Sequence, residues 1–397
     1  MKNIGNWLFP PALVTGLLLL LTGRTAAQTF TKLHDFAPGG SYSIYYYTNS
    51  DGADPNGGLL LAGNALYGTT YVGGTNGNGT IFMVNTGSLS VTCLHAFTAG
   101  TLMTLGDYTN ADGGNPTAAL VLAGDTLYGT ARNGGVSGDG TVFALHTDGT
   151  GFTNLYTFTA TAGGAGLDDT GTNRDGASPL GGLILAGDTL YGTAYLGGTN
   201  GNGTVFKVNT DGSGFLTLHH FSAGANNATG VFTNGDGALP FGGVALSGST
   251  LYGTTQEGGR FGYGAVYAIQ TDGTGFTNLY QFTDGTDGGQ PQANLIVSGG
   301  TLYGTAIGAV FKVNTNGTGF ASLYNGDDFS AGLILSGDGG TLYGTARVDG
   351  GSDGAPYLRW APISPGSTPC TVSRRPPAPA VSISTAPTAM EISPSAG

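Results

Sequence analysis

The chain has 397 residues, 76 of them Gly, with only 9% charged and a formal net charge of -12. An acidic excess of that size argues against nucleic acid or an anionic membrane surface as a partner. Val, Ile, Leu and Phe recur in strand-sized runs between the glycines, which excludes a disordered low-complexity chain and points to a turn-dense β protein.

The first residues read as an export signal. Lys2 precedes an apolar run from Leu13 to Leu21, and Thr25-Ala26-Ala27 supplies the small residues that signal peptidase prefers. Residues 1–27 are therefore expected to be a signal peptide cleaved before Gln28, and the run is too short to span a bilayer. The mature protein is expected to be secreted or at the cell surface, monomeric, with no membrane span.

After the signal, Leu-Tyr-Gly-Thr returns six times, with its tyrosine at Tyr67, Tyr128, Tyr191, Tyr252, Tyr303 and Tyr343. Each copy stands among an apolar triplet with a Gly turn, a Gly-rich stretch, a Gly-Thr-Val-Phe-like strand, a Thr-Asp-Gly turn and a Phe-x-x-Leu-Tyr-x-Phe strand. A period of about 40 to 60 residues with four short strands and no helical periodicity predicts an all-β fold, a β-propeller of four-stranded antiparallel blades. The triplets Leu59 to Leu61, Leu120 to Leu122, Leu183 to Leu185, Val244 to Leu246, Leu295 to Val297 and Leu333 to Leu335 are continuously apolar, so they are expected to be innermost strands buried on both faces. Third strands are expected at Gly79 to Asn85, Gly140 to His146, Gly203 to Asn209, Gly264 to Gln270, Gly308 to Asn314 and, degenerate, Gly354 to Trp360. Fourth strands end at Phe97, Phe158, Phe221, Phe282 and Tyr324.

The sixth repeat has no fourth strand of its own. Phe30 to Phe36, just beyond the cleavage site, matches Phe152 to Phe158 position by position, so the mature N-terminus is expected to complete the last blade and close a ring of six. This gives a propeller over residues 28–362, followed by a Pro/Ser/Thr-rich tail or linker over 363–397.

Thr-Leu-Tyr-Gly-Thr followed by Gly-Gly and Gly-Thr-Val-Phe, with Asp-Gly-x-x-Pro before the next triplet, resembles the Gloeo/Verruco tandem repeat of bacterial exported proteins described as choice-of-anchor. The resemblance covers residues 29 to about 360. It implies export and a propeller, and it brings no catalytic motif to carry over. The chain departs from the family in ending without a recognisable sorting or anchor segment.

Strand alternation puts the tight turns at one end of each blade and the long connections at the other. The long connections are the loops between second and third strands (Gly73 to Asn78, Asn133 to Asp139, Glu257 to Tyr263) and those between blades (Ala37 to Pro55, Thr159 to Pro179). Function is expected on that long-loop face. There the residue following the second strand varies inside a repeated frame: Tyr71, Arg132, Tyr195, Gln256, Ile307 and Arg347. Tyr71, Arg132, Tyr195, Gln256 and Arg347 are the ligand-binding candidates, since stacking rings and forked donors suit sugars or carboxylate-bearing polymers. The plainer alternative is that the strand merely exits to solvent at this column. The cluster Tyr42, Tyr45, Tyr46 and Tyr47 admits the same two readings.

Asp-Gly-x-x-Pro recurs at Asp51, Asp112, Asp175, Asp236 and Asp287. As local turn chemistry, with Asp bonding its own backbone, the motif predicts a nearly silent Asp175→Asn change; as a ring of hard oxygen ligands it would take calcium. The first reading is preferred, with no cofactor and no metal ligand assigned. His34, His95 and His219 share a fourth-strand position with Tyr156, Tyr280 and Tyr324, and with His146 and His220 they read as structural. Cys93 and Cys370 can pair or remain two thiols. No catalytic residue is assigned. The reading is a secreted binding or scaffold module for an extracellular carbohydrate polymer; the alternatives are a propeller lyase or hydrolase acting on polysaccharide and a purely structural exported repeat.

Overall fold

The computed structural model describes residues 32–37, 48–102, 108–163, 171–328, 331–336, 341–348 and 357–363. Residues 1–27, expected to be a signal peptide, the Tyr42 to Tyr47 cluster, Cys370 and the residues beyond 363 lie outside the described residues. The described residues form strands and turns and contain no helix. The chain divides into Met1–Phe36 and Ala37–Gly397. In the first segment residues 32–36 form no strand, and Lys32 pairs with Asp35 at 2.6 Å on the surface. The ladder expected between Phe30 to Phe36 and the last repeat is thus not among the described pairings.

In the second segment each of the first four repeats forms one antiparallel four-stranded sheet in sequence order. Repeat one comprises β1 (Leu60–Ala62), β2 (Ala65–Thr70), β3 (Thr80–Asn85) and β4 (Val91–Ala96). The pair β5 (Thr101–Leu102) and β6 (Tyr108–Thr109) decorates the connection to repeat two, which comprises β7 (Val121–Ala123), β8 (Thr126–Ala131), β9 (Thr141–His146) and β10 (Thr153–Thr157). Repeat three comprises β11 (Ile184–Ala186), β12 (Thr189–Ala194), β13 (Thr204–Asn209) and β14 (Leu216–His220). A second small pair, β15 (Ala225–Asn226) and β16 (Phe232–Thr233), precedes repeat four, with β17 (Ala245–Ser247), β18 (Thr250–Thr255), β19 (Ala265–Gln270) and β20 (Thr277–Gln281).

Repeats five and six merge into one six-stranded sheet of β21 (Ile296–Ser298), β22 (Thr301–Asn314), β23 (Ala321–Asp328), β24 (Ile334–Leu335), β25 (Leu342–Val348) and β26 (Tyr357–Ile363). The merger runs through the single bridge Asp328↔Arg347. β22 is a continuous run of 14 strand residues, yet a Cβ built on Gly304 would lie 2.5 Å from the Phe311 ring. Seven extended residues would separate them by about 23 Å, so the run doubles back. With the loop between second and third strands deleted, repeat five turns tightly at Ile307-Gly308, where Gly308 has φ +80°. The last strand lies at Tyr357–Ile363 rather than Gly354 to Trp360, pairing Thr345 with Trp360.

The triplets do begin first strands, but they are not buried on both faces. Leu59 and Leu61 are 53% and 65% exposed, whereas Leu120, Leu183, Val244, Leu295 and Leu333 are buried. The triplet strand is a sheet edge, so the deepest strands are the second and third, with Leu127, Val142, Phe143, Val205, Phe206, Val266 and Ile269 at 0% exposure. The glycine of Leu-Tyr-Gly-Thr belongs to this packing. A Cβ on Gly129 would sit 2.6 Å from the Phe143 ring and 2.7 Å from a Leu120 methyl, and Gly68, Gly192 and Gly304 stand in the same vice.

No repeat buries its own core alone. Tyr67, Ile81 and Phe97 of repeat one pack with Leu127 and Phe143 of repeat two, and Tyr128 and Phe158 pack with Leu190 and Phe206 of repeat three. Tyr191 and Phe221 meet Leu251 and Tyr267, Tyr252 and Phe282 meet Leu302 and Phe311, and Val310 meets Leu333 and Leu342. The core is therefore a series of joints. Each fully buried Phe contributes about 1.5–3 kcal/mol, and that contribution disappears if the neighbouring repeat is absent.

Candidate functional site

The recurring aspartates are fasteners, not local turn formers. The Asp175 carboxylate accepts the Tyr156 hydroxyl at 2.7 Å, the Thr159 N–H at 2.9 Å and the Thr159 hydroxyl at 2.5 Å. Asp287 accepts Tyr280 at 2.9 Å and the Thr283 hydroxyl at 2.6 Å. Asp112 and Asp236 accept Nε2 of His95 and His219, at 2.9 and 2.8 Å, together with the hydroxyls of Thr98 and Ser222. Burial alone would push the Asp236 carboxyl up, but the bonds from His219 and Ser222 outweigh it and hold the group below the usual carboxylate range. Asp287 is held low in the same manner by Thr283 and Tyr280, while the burial and Asp partners of Tyr156 and Tyr280 push those phenols up.

The turn chemistry expected of these aspartates falls to other residues. In the Thr-Asp-Gly turns Asp148, Asp211 and Asp272 accept the N–H and hydroxyl of the residue two positions on. Two residues before four of the five fastening aspartates stands an asparagine, Asn49, Asn110, Asn173 or Asn234. Asn173 accepts the N–H of Gly176 and of Gly198, both at 2.8 Å, and donates to the carbonyls of Thr159 and Gly176. Its four bonds use the whole capacity of an amide, and they tie the connection between repeats to the loop between second and third strands. Isolated bridges such as Ala177↔Leu196 and Ala238↔Glu257 join the same two loops, so the long connections do share one end of the sheets. Asn-x-Asp-Gly recurs as a column in the sequence, but Asn and Asp beside Gly carry the composition of an ordinary turn, so the string itself does not signal a bond to a distant loop.

The fourth-strand rings complete the fastening. His95 stacks on Phe152 at 3.9 Å, Tyr156 on Phe215 at 3.5 Å, His219 on Phe276 at 3.8 Å and Tyr280 on Phe320 at 3.5 Å, each ring meeting the next repeat. A β-bulge aims them, since Val205 faces His219 while Phe206 faces Thr217, leaving Leu218 unpaired in the ladder. The histidines thus hold structural positions. Among the described residues Cys93 has no disulfide partner, and burial pushes its thiol up. Among the described residues no group of three or more His, Cys, Asp or Glu could hold a metal ion.

Two further contacts cross each joint. The threonine of Leu-Tyr-Gly-Thr donates to the next repeat, Thr130 to Gly181 O at 3.2 Å and Thr193 to Gly242 O at 2.9 Å. Small residues make that approach possible, because a Cβ on Gly243 would lie 2.1 Å from Gly182 O. The residue before each proline takes a left-handed conformation: Asp54, Asn115, Ser178, Leu239 and Gln290 have φ between 50° and 58°. Its N–H reaches back across the joint, Ser178 to Asp139 O and Leu239 to Asn202 O, both at 2.9 Å.

The candidate column lies beside these strained residues. Tyr71 N–H donates to Asp54 O, Tyr195 N–H to Ser178 O and Gln256 N–H to Leu239 O. Tyr71, Arg132, Tyr195, Gln256 and Ile307 are half-buried, and Arg347 lies on β25 opposite Leu358. One neighbouring pair is joined directly, the Tyr195 hydroxyl donating to Gln256 Oε1 at 3.0 Å. Among the described residues no hydrogen bond or ring contact joins Tyr71 to Arg132, whose Nε is buried without a partner.

No helix among the described residues is long and apolar enough to cross a membrane. Solved structures similar to this chain include the nidogen/laminin complex, at 16% identity and a TM-score of 0.38, covering 66% of this chain and 74% of that one. A provisionally named 6-phosphogluconolactonase from Bacteroides fragilis is 14% identical with a TM-score of 0.46 over 77% of this chain and 83% of that one. The extracellular domain of a provisionally named one-component system from B. thetaiotaomicron is 11% identical with a TM-score of 0.42, covering 77% of this chain and 33% of the other. No curated protein matches the chain. The family model of the Gloeobacter/Verrucomicrobia repeat matches residues 40–169.

Proposed function

We propose that the chain is an exported six-bladed β-propeller whose long-loop face binds an extracellular carbohydrate polymer, acting as a binding module rather than an enzyme. The stacking of each sheet on the next supports the propeller. So does the convergence of first-strand glycines, since a Cβ on Gly182 would lie 3.8 Å from Ala118, 3.6 Å from Ala119 O and 3.7 Å from the Asn294 amide, two repeats away in the other direction. Sixth-repeat strands β24, β25 and β26 account for three of the four strands of a blade.

One observation carries the functional reading. The repeated frame spends its carboxylates and imidazoles on its own joints, while the variable column places half-exposed Tyr and Gln side chains of adjacent repeats in contact at Tyr195 and Gln256. A polysaccharide lyase or hydrolase would need acids converging on one cleft, and Asp112, Asp175 and Asp287 are buried, each in a fastener of a different repeat. Calcium is not required by this reading.

A glycan array probed with and without calcium tests it. Binding to a polymer, weakened by roughly 1 to 3 kcal/mol in the double variant Tyr71→Ala, Tyr195→Ala at unchanged melting temperature, is expected for anchor residues. Unchanged affinity, or a ligand mapped to the Asp148, Asp211 and Asp272 turns, would contradict it.

A further inference from the structure

The joint between repeats three and four presents a surface unlike its neighbours. The Tyr195 ring meets Phe241 edge to face at 5.8 Å and 84°, while its hydroxyl donates to Gln256 Oε1 at 3.0 Å. The three side chains come from two repeats and are half-buried. Their scaffold is pinned: Gln256 N–H donates to Leu239 O and Leu239 N–H to Asn202 O, both at 2.9 Å. Leu239 is held at φ 58°, a conformation that costs a branched residue free energy and persists only where neighbours over-determine it. At the position of Phe241 the other repeats carry Asn56, Thr117, Leu180, Gln292 and Ser330, so in the sequence only this joint has an aromatic residue at that position.

We infer that this corner is the subsite for a neutral sugar unit of a polysaccharide, an inference that rests on the binding-module reading above. Two rings at right angles supply apolar surface for the C–H face of a pyranose, and a ring pair fixed in advance loses little freedom on binding. Gln256 uses Oε1 to accept from Tyr195, which leaves its NH2 to donate to a sugar hydroxyl; among the described residues that NH2 has no partner. Charge selects the class. The trio is uncharged, and a net charge of -12 repels uronate- or sulfate-bearing chains over the distance at which they approach. The Arg132 joint, where a guanidinium would suit a carboxylate, offers Leu180 in place of the ring.

The test is affinity electrophoresis and titration calorimetry of the mature protein against soluble neutral polymers (β-glucan, arabinoxylan, galactomannan) and anionic ones (polygalacturonate, alginate). The wild type is compared with Phe241→Ala, Gln256→Ala and Tyr71→Ala, and with Phe241→Leu to preserve packing should the alanine variant melt early. We expect a neutral polymer to bind and to lose tenfold or more in affinity with Phe241→Ala, Phe241→Leu or Gln256→Ala, and to lose less with Tyr71→Ala. Preference for an anionic polymer, or binding indifferent to Phe241 and Gln256 but lost with Tyr71→Ala, would overturn this subsite and leave the binding-module reading standing. Binding to no polymer would overturn both.

Discussion

The joint between repeats three and four and the one between five and six are built on the same plan to different degrees. The former has the glycine pair in backbone contact, the Asn234 amide tying two loops together, the His219–Asp236 fastener and the Thr193 bond. The latter keeps the threonine bond, Thr305 to Ala331 O at 3.1 Å, and little else that is described. Repeat five has Gly285 where its predecessors have asparagine, and it also lacks the loop that the asparagine would pin. The lost residue and the lost loop belong together: an amide with four bonds to make would be left half-satisfied without the loop's N–H groups.

Glycine substitutions break the comparison most sharply. Gly243→Ala forces a methyl to 2.1 Å from Gly182 O and is expected to destabilise by about 3 kcal/mol. Gly332→Ala meets no atom of the described residues within 4 Å and should be neutral or mildly stabilising. Urea midpoints of the two variants check this, and equal effects would show that the joints are not graded.

Next in size is Asn173→Ala. It strands two N–H groups and two carbonyls that Asn173 serves, and about 2 kcal/mol is expected. Hydrogen exchange should locate the loss in the loop around Gly197 and Gly198, while the tight turn of repeat five stays protected.

Acid should loosen the same fasteners. Asp236 and Asp287 have folded-state pKa values below the ordinary 3.8, so their contribution is full above that value and is lost as the pH falls through the lower, folded one. A smaller decline should begin below pH 6.5, because burial and the neighbouring His219 depress the His220 pKa and proton uptake there favours the unfolded chain. Denaturant midpoints from pH 7 to pH 2 follow both steps, and a curve with no step below pH 4 would remove the fastener account.

The smallest effect is a gain. Tyr267 occupies the position of Phe82, Phe143, Phe206 and Phe311, fully buried with its hydroxyl unpartnered. Tyr267→Phe should stabilise the protein by about 1 kcal/mol, read as a higher urea midpoint.

Much of the architecture was legible in the sequence because it is periodic. Tyr67 through Tyr343 announce six repeats, and in the first four the strands fall within one or two residues of expectation, whereas β23 runs on to Asp328 and the last strand lies at Tyr357–Ile363. The functions of individual side chains were less legible. Asp175 looks like a turn former because its local string, Asp-Gly-Ala-Ser-Pro, is turn chemistry; its partners Tyr156 and Thr159 lie beyond a bulge whose unpaired residue no period announces. The hairpin inside Thr301–Asn314 was legible despite its deleted loop, because the repeat frame places a third strand from Gly308 to Asn314 directly after the Leu-Tyr-Gly-Thr strand. The variable column was found by comparing repeats, but that Tyr195 and Gln256 touch across a joint could come only from how one sheet is seated on the next.

The most direct test of the claim that the recurring aspartates fasten one repeat to its surroundings is the melting temperature of Asp175→Asn, measured with added calcium and with chelator. Three donors converge on the wild-type carboxylate, and an amide can accept them only through its one oxygen while its NH2 faces donors. The account predicts a clear fall in melting temperature that neither calcium nor chelator alters. Wild-type stability in the variant, or a wild-type melting temperature raised by calcium and lowered by chelator, would contradict it.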